Sequence, residues 1–361
     1  MDVTSRNFFS LLRAGVFGSE ETLEPLSAWK WNRLYQLSVM HGVTALVYDG
    51  IQHCRNQFFF QMPQSQLTRW QYAAKAVEAA NQRLNIRLSE LSGVFQQHRW
   101  RHMIVKGQAM STFYANPQHR TPGDLDFFFP LEQQAEEAET WAEENGAEQE
   151  ETRHNSLKYS WQGVVVEHHR QMQQLTNVLL NRTLQQIISE EISGSAPAYV
   201  VVNGSWLETV PPTLNLLLLI VRITRYLLSD GISLKQLTDL SVFLNRQHGR
   251  IEAERLMKWM ERLKLRPIAQ LIGALLVEIL KNDGAESPFW NPDTGSDVEK
   301  VIDELFNLRA EWRSTDEESL FAPNDNSPAL IRRTRHSARY FSYYPSETLT
   351  SFLSSLARIE E

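Results

Sequence analysis

The run Asp124-Leu125-Asp126-Phe127-Phe128-Phe129 constrains this chain more than any other stretch. Read as a strand, it puts Asp124, Asp126 and Phe128 on one face and Leu125, Phe127 and Phe129 on the other. The second face demands a hydrophobic core. The first sets two carboxylates at the mouth of an apolar strand, and charges are seldom buried unless paired or bound to a metal. Two acids at a strand end also serve simply to keep that end in water. Same-face neighbours lie about 6.6 Å apart, so the two carboxylates can converge on one divalent ion or on a pair of ions about 3.5–4 Å apart. Mg²⁺ takes such oxygen ligands, with phosphates and water completing its shell.

The segments on either side suit that chemistry. Residues 103–105 read as a short apolar strand that breaks at Lys106-Gly107, with a helical segment following to about Tyr114. Gly107 has no Cβ, so a phosphate can approach the backbone at the helix start, and Lys106 and Arg120 add positive charge nearby. Further on, residues 156–161 and 164–170 read as a hairpin turning at Gln162-Gly163. Val165, Glu167 and His169 share one face of its second strand, and Val164, Val166 and His168 the other. Glu167 follows three valines, a costly place for an uncompensated acid. His168 and His169 point to opposite faces, which argues against one ion held by both.

The rest of the pattern is mostly helical. Residues 29–51 read as one helix, and 66–98 carry a long apolar stripe with three-and-four spacing. An acidic-faced helix after Pro130 stops at Asn145-Gly146, and another is expected over 171–192. Asn203-Gly204 between apolar runs predicts a second hairpin. Helices follow over 213–228, 233–245, 251–263, 267–280, 297–312, 329–341 and 349–359, with loops at 281–299 and 314–327. Ser233 and Gln236 form a capping-box signal. The expected organisation is an N-terminal helical region over 1–100, a mixed α/β core over 101–210 and a C-terminal helical domain over 211–361.

Length and charge exclude some classes. At 361 residues the chain exceeds one ordinary core, and its net charge of −7 argues against a broad nucleic-acid-binding face. Cys54 is the single cysteine, which leaves no intrachain disulfide and no cysteine-based zinc cage. No signal-peptide pattern is evident, and the apolar run 214–221 is too short to span a bilayer, so a cytoplasmic protein is expected. Arg332, Arg333, Arg335, His336 and Arg339 form a basic cluster that reads as solvated surface.

Taken together, K-G-Q-A-M…Y-x-x-P-x-x-R-x-x-G-D-L-D-F-F-F and V-V-V-E-H-H resemble the uncharacterised bacterial nucleotidyltransferases of the DNA polymerase beta-like superfamily. The resemblance implies an α/β (α+β) protein: a nucleotidyltransferase-fold mixed sheet with helical regions on both sides. It implies metal-dependent, in-line transfer of a nucleoside monophosphate from an NTP, ATP first, to an unidentified acceptor. Mg²⁺ is the implied metal, with Mn²⁺ as the alternative. Asp124, Asp126 and Glu167 would be the catalytic, metal-holding carboxylates. Lys106, Gly107, Gln108, Arg120 and His169 would contact the nucleotide, with Gln108 standing where the family pattern has serine or glycine. His154 matches a histidine of the same branch, and Asp239 a recurring aspartate without catalytic role. Arg153 and Lys158 read as surface charges within reach of a triphosphate. The implied partners are the NTP and a small-molecule or protein acceptor, with RNA disfavoured by the acidic balance. A narrower form is an antitoxin-type enzyme modifying a partner protein. The alternative from another class is a binding or regulatory protein whose core no longer catalyses; Gln108 favours it, and the intact Asp124, Asp126 and Glu167 oppose it.

Overall fold

Seven strands build one mixed sheet in the order β3-β4-β5-β2-β1-β7-β6. The strands are β1 (Met103–Ile104), β2 (Leu125–Phe128), β3 (Glu148–Arg153), β4 (Ser156–Trp161), β5 (Val164–His169), β6 (Ala198–Val202) and β7 (Ser205–Thr209). The helices are α1 (Val3–Phe17), α2 (Ala28–Met40), α3 (Thr44–Cys54), α4 (Gln64–Gln97), α5 (Gly107–Ser111), α6 (Glu132–Glu144) and α7 (Val178–Gly194). They continue as α8 (Pro212–Leu228), α9 (Leu234–Gln247), α10 (Ala253–Arg262), α11 (Arg266–Leu280), α12 (Val298–Asn307) and α13 (Pro345–Ala357). This computed structural model describes residues 1–58, 60–153, 156–229, 231–292, 297–307 and 338–357, without the side chains of 150–153, 307 and 354–357. His154 and the basic residues Arg332, Arg333, Arg335 and His336 lie outside the described residues.

The alternation in β2 sorts its side chains as the sequence predicts. Leu125, Phe127 and Phe129 enter one core with Leu84, Leu88, Leu91 and Phe95 of α4 and the alanines 135, 138 and 142 of α6. Phe95 stands edge-on to Phe127 and Phe129, with ring centroids 5.2 and 5.3 Å away, an arrangement that suits the aromatic quadrupoles. Val164, Val166 and His168 of β5 are buried, and the two valines belong to the same core. Both predicted hairpins form. Gln162 and Gly163 have φ of 47° and 78°, and Asn203 and Gly204 have φ of 50° and 79°. Two positive φ values are what a two-residue turn needs to match the twist of its strands.

Four local expectations are corrected. The helix expected over 29–51 divides at Gly42, whose φ of 65° ends α2; Val43 then donates back to the Ser38 carbonyl at 2.9 Å. β3 carries E-Q-E-E-T-R, which has no apolar alternation to announce it. It lies at the sheet edge with β4 as its ladder partner, and a charged edge is compatible with one-sided pairing. The helix expected from 171 begins at Val178, because the Asn177 side chain accepts from Leu180 N at 3.2 Å and the Glu347 carboxylate accepts from Asn177 N at 2.8 Å. These bonds satisfy backbone donors that a helix start leaves over. Finally, α5 stops at Ser111 rather than near Tyr114.

The chain forms two compact units. One comprises Arg6–Met172 and Ile188–Asn215 and contains the whole sheet; the other comprises Met1–Ser5, Gln173–Ile187 and Leu216–Glu361. In the sheet-bearing unit α1 and α3 meet at glycines: a Cβ on Gly50 would lie 1.9 Å from the Leu11 carbonyl oxygen, and one on Gly15 would lie 1.8 Å from that of Leu46. The second unit buries apolar faces of α9 and α11 and shows the expected capping contact, with Ser233 N donating to Gln236 Oε1 at 2.8 Å. Among the described residues no helix is long and apolar enough to cross a membrane.

Candidate active site

The site follows from register. β2 and β5 are parallel neighbours, with Asp126 opposite Glu167 and Phe128 opposite His169. Residues opposite each other on adjacent strands share a face about 4.8 Å apart. The face that β2 turns away from its phenylalanine core therefore carries Asp126 beside Glu167, with His169 two residues further along β5. Two adjacent carboxylates repel unless a cation intervenes. Lys106 supplies one: its Nζ donates to Asp126 Oδ1 at 3.1 Å and stands 3.0 Å from His169 Nε2.

Local chain geometry puts Lys106 there. β1 runs antiparallel to β2, and Val105 N donates to the Asp126 carbonyl at 3.0 Å, so the next residue emerges beside the acid. Lys106 has φ 55° and ψ −134°, a backbone region nearly reserved for glycine and costing a lysine about 1–3 kcal/mol. Its carbonyl accepts from Met110 N at 2.9 Å, which fixes the turn into α5. Gly107 comes next and lies against the acidic strand: a Cβ there would sit 3.1 Å from the Asp124 carbonyl oxygen and 3.6 Å from Asp126 Oδ2.

The imidazole of His169 is over-subscribed. Nε2 lies 2.7 Å from Asp126 Oδ1, 3.4 Å from Glu167 Oε2 and 3.0 Å from Lys106 Nζ. A ring nitrogen offers either a proton or a lone pair. With a proton it serves Asp126 and confronts the Lys106 ammonium with another donor. With a lone pair it serves Lys106 and confronts the Asp126 oxygen with another acceptor. A metal ion would resolve the conflict, since the Nε2 lone pair and both carboxylates could point at one positive centre. The ligand atoms of Asp126, Glu167 and His169 all lie within 4.8 Å of one another. That spacing is close to twice a metal–ligand distance of about 2.0–2.4 Å, so the three side chains fit a divalent cation after small adjustments.

The other residues singled out in the sequence take different places. Asp124, one step before β2, pairs through Oδ2 with Lys158 Nζ at 3.1 Å and is not one of the three converging ligands. Lys158 faces Glu167 across the β4–β5 ladder, which brings it to the rim of the site. The two-residue turn at 162–163 fixes that pairing, so a register count along the hairpin was the signal for it. Gln108 is 4% exposed and donates to Asn85 Oδ1 on α4 instead of facing the acids. Arg120 is 2% exposed, with its carbonyl accepting from Asn81 Nδ2 at 2.9 Å. His168 lies on the core face, accepts or donates at Tyr159 OH 3.0 Å away, and is held neutral by burial, which lowers its pKa to about 3.

The loop that delivers Asp124 is tied to the helices. Asn81 of α4 donates to the carbonyls of Gln118 and Arg120 at 2.7 and 2.9 Å. His119 is clasped between Asp49 of α3 (Nδ1, 2.8 Å) and Glu78 of α4 (Nε2, 2.7 Å). Burial disfavours the imidazolium, but hydrogen bonds and charge from the two carboxylates outweigh it and raise the His119 pKa above its ordinary value.

The family model described as "Uncharacterised nucleotidyltransferase" matches residues 27–281. No curated protein matches the sequence. Among solved structures, an antigenic nucleotidyltransferase-like protein from Paracoccidioides brasiliensis is similar at 16% identity, covering 56% of this chain and 95% of its own, with a TM-score of 0.34. The family match extends over well more than half of the sequence and includes β1 through β7 with every residue of the site, and the chain belongs to the uncharacterised nucleotidyltransferase family.

Proposed function

We propose that the protein is a metal-dependent nucleotidyltransferase that moves a nucleoside monophosphate from an NTP to an acceptor hydroxyl or similar group: the acceptor atom gives up its proton and bonds to the α-phosphorus as the α–β phosphoanhydride breaks and pyrophosphate leaves. The observation that carries this reading is the in-register pair Asp126–Glu167, with His169 and Lys106 converging on it beside Gly107. A divalent cation at Asp126, Glu167 and His169 would neutralise the phosphate chain and polarise the reacting phosphorus. Mg²⁺ suits the two carboxylates, and the imidazole favours Mn²⁺ as well. Lys106 offers an ammonium to the phosphates, and Gly107, lacking a Cβ, lets the turn before α5 lie close against Asp124 and Asp126. Asp124 with Lys158 forms the rim. Glu167, 23% exposed against 10% for Asp126, is the carboxylate better placed to take the acceptor's proton. The acceptor is a small molecule or a protein side chain, as an antitoxin-type enzyme would use.

A second reading has one observation in its favour. Gln108, expected at the nucleotide, is buried and donates to Asn85 on α4, which suits a nucleotidyltransferase-like binding or regulatory protein that no longer catalyses. Both readings are separated by incubating the protein and Asp126→Ala with each α-labelled NTP, Mg²⁺ or Mn²⁺, and a lysate of the source organism. Metal-dependent label transfer by the parent protein and none by the variant supports the enzyme. Nucleotide-dependent thermal stabilisation without transfer supports the binding protein, and neither effect with any NTP refutes both.

A further inference from the structure

Lys106 stands where the proposed cation would. Its Nζ lies within hydrogen-bond distance of Asp126 Oδ1 and His169 Nε2, two of the three atoms a metal would need. Each partner has limited capacity. His169 Nε2 has a single lone pair, and a lone pair facing an ammonium is unavailable to a metal. An ammonium and a divalent ion a few ångströms apart would also set three positive charges against two carboxylates in a partly buried place; the Asp126 side chain is 10% exposed and that of His169 7%. Like charges that close exclude one another.

We propose that the Lys106 ammonium and a divalent cation are alternative occupants of one position between Asp126 and His169, so that cation binding turns Lys106 outward, where it becomes a ligand for phosphate. This rests on the metal-dependent reading above. Lys106 is suited to the exchange. Its side chain is 21% exposed, so a path to solvent exists. Its backbone is pinned in a positive-φ turn by the Val105 N–Asp126 O and Met110 N–Lys106 O bonds. The side chain can therefore swing while its root stays beside the acids. Lysine carries its charge on a flexible four-carbon stem, which makes it a better exchanging counterion than a planar guanidinium. The device has two consequences. The paired acids stay neutralised before a cation arrives, and a positive group is presented to the nucleotide only once the cation is in place.

The test is Mn²⁺ titration, followed by loss of the free-ion electron paramagnetic resonance signal, on the full chain and on Lys106→Met, Lys106→Gly and Asp126→Asn. Lys106→Met removes the ammonium and keeps the turn; Lys106→Gly also relieves the positive φ. Both should bind Mn²⁺ at least about fivefold more tightly than the parent, the lower end of ordinary site-to-site coupling, and Asp126→Asn should lose binding. A second readout uses the unaltered protein: acetylation of Lys106 relative to the exposed Lys75, measured by mass spectrometry, should rise when Mn²⁺ saturates the site. Equal Mn²⁺ affinities for the parent and both lysine variants, or Lys106 labelling indifferent to Mn²⁺, would overturn the exchange and leave the metal site standing. No Mn²⁺ binding by any of the chains would overturn the metal-dependent reading and the exchange with it.

Discussion

Replacing Glu139 by glutamine should stabilise the protein above neutral pH and change it little in mild acid. Glu139 projects from α6 towards the back of β5, with its side chain 14% exposed. Its carboxylate accepts from Arg170 Nη2 at 2.8 Å, while Oε1 lies 3.9 Å from His168 Nδ1, and neither of those two atoms has a hydrogen-bond partner. Burial raises the Glu139 pKa to about 7 from an ordinary 4.5, against the opposing pull of Arg170. The folded value lies above the unfolded one, so the native state favours the protonated acid. That contribution is complete below the unfolded pKa and disappears as pH rises through the folded one. Linkage over the shift makes the loss about 2–3 kcal/mol between about pH 5 and pH 8. Glutamine has the shape of the protonated acid and cannot ionise. Urea unfolding of the parent and Glu139→Gln at both pH values isolates this group, because other titrations cancel in the difference. The variant should match the parent near pH 5 and exceed it by about 2–3 kcal/mol near pH 8. Parallel pH dependences for the two proteins would refute the buried, protonated state.

Three further outcomes are expected. Asn81→Leu removes both donors holding the loop before Asp124 and leaves two carbonyls without them; unfolding free energy should fall by about 2–3 kcal/mol, and a loss under about 0.5 would mean the loop is held elsewhere. Gly50→Ala drives a methyl into the Leu11 carbonyl oxygen, so α1 and α3 must part at a cost of about 3 kcal/mol, read as a lower melting temperature; an unchanged melting temperature contradicts the close crossing. His119→Gln tests the opposite-signed group. His119's raised pKa means that its contribution is complete below the ordinary histidine value of 6.5 and fades as pH rises through the folded value. The stability gap between parent and variant should therefore narrow with rising pH, and a constant gap would show that the imidazole does not ionise between Asp49 and Glu78.

What the sequence disclosed, and what it withheld, divides by physical cause. Alternation in β2 and β5 separated the core face from the acidic face, because a period of two leaves no freedom once the phenylalanines must be buried. The hairpins at Gln162-Gly163 and Asn203-Gly204 were equally legible, since few residue pairs accept two positive φ values. β3 was not legible, because an edge strand of acidic and polar residues carries no burial pattern. The break at Gly42 was hidden by apolar residues continuing on both sides, and the late start of α7 depended on Glu347, distant in sequence. At the site, Asp126 and Glu167 followed from their strand faces, but the order of strands that makes them neighbours did not. Nor did the fate of Gln108: a polar residue in a motif looks available until Asn85 is found beside it. His169 was expected at the nucleotide by family resemblance, and its convergence with two acids and Lys106 follows from the parallel β2–β5 pairing.

The most direct test of the proposed site is anomalous X-ray scattering from crystals equilibrated with Mn²⁺. One peak is expected on the acidic face of β2 and β5, about 2.0–2.4 Å from a carboxylate oxygen each of Asp126 and Glu167 and from His169 Nε2. Manganese bound elsewhere, with Lys106 still spanning Asp126 and His169, would contradict a metal-dependent nucleotidyltransferase centred on these residues.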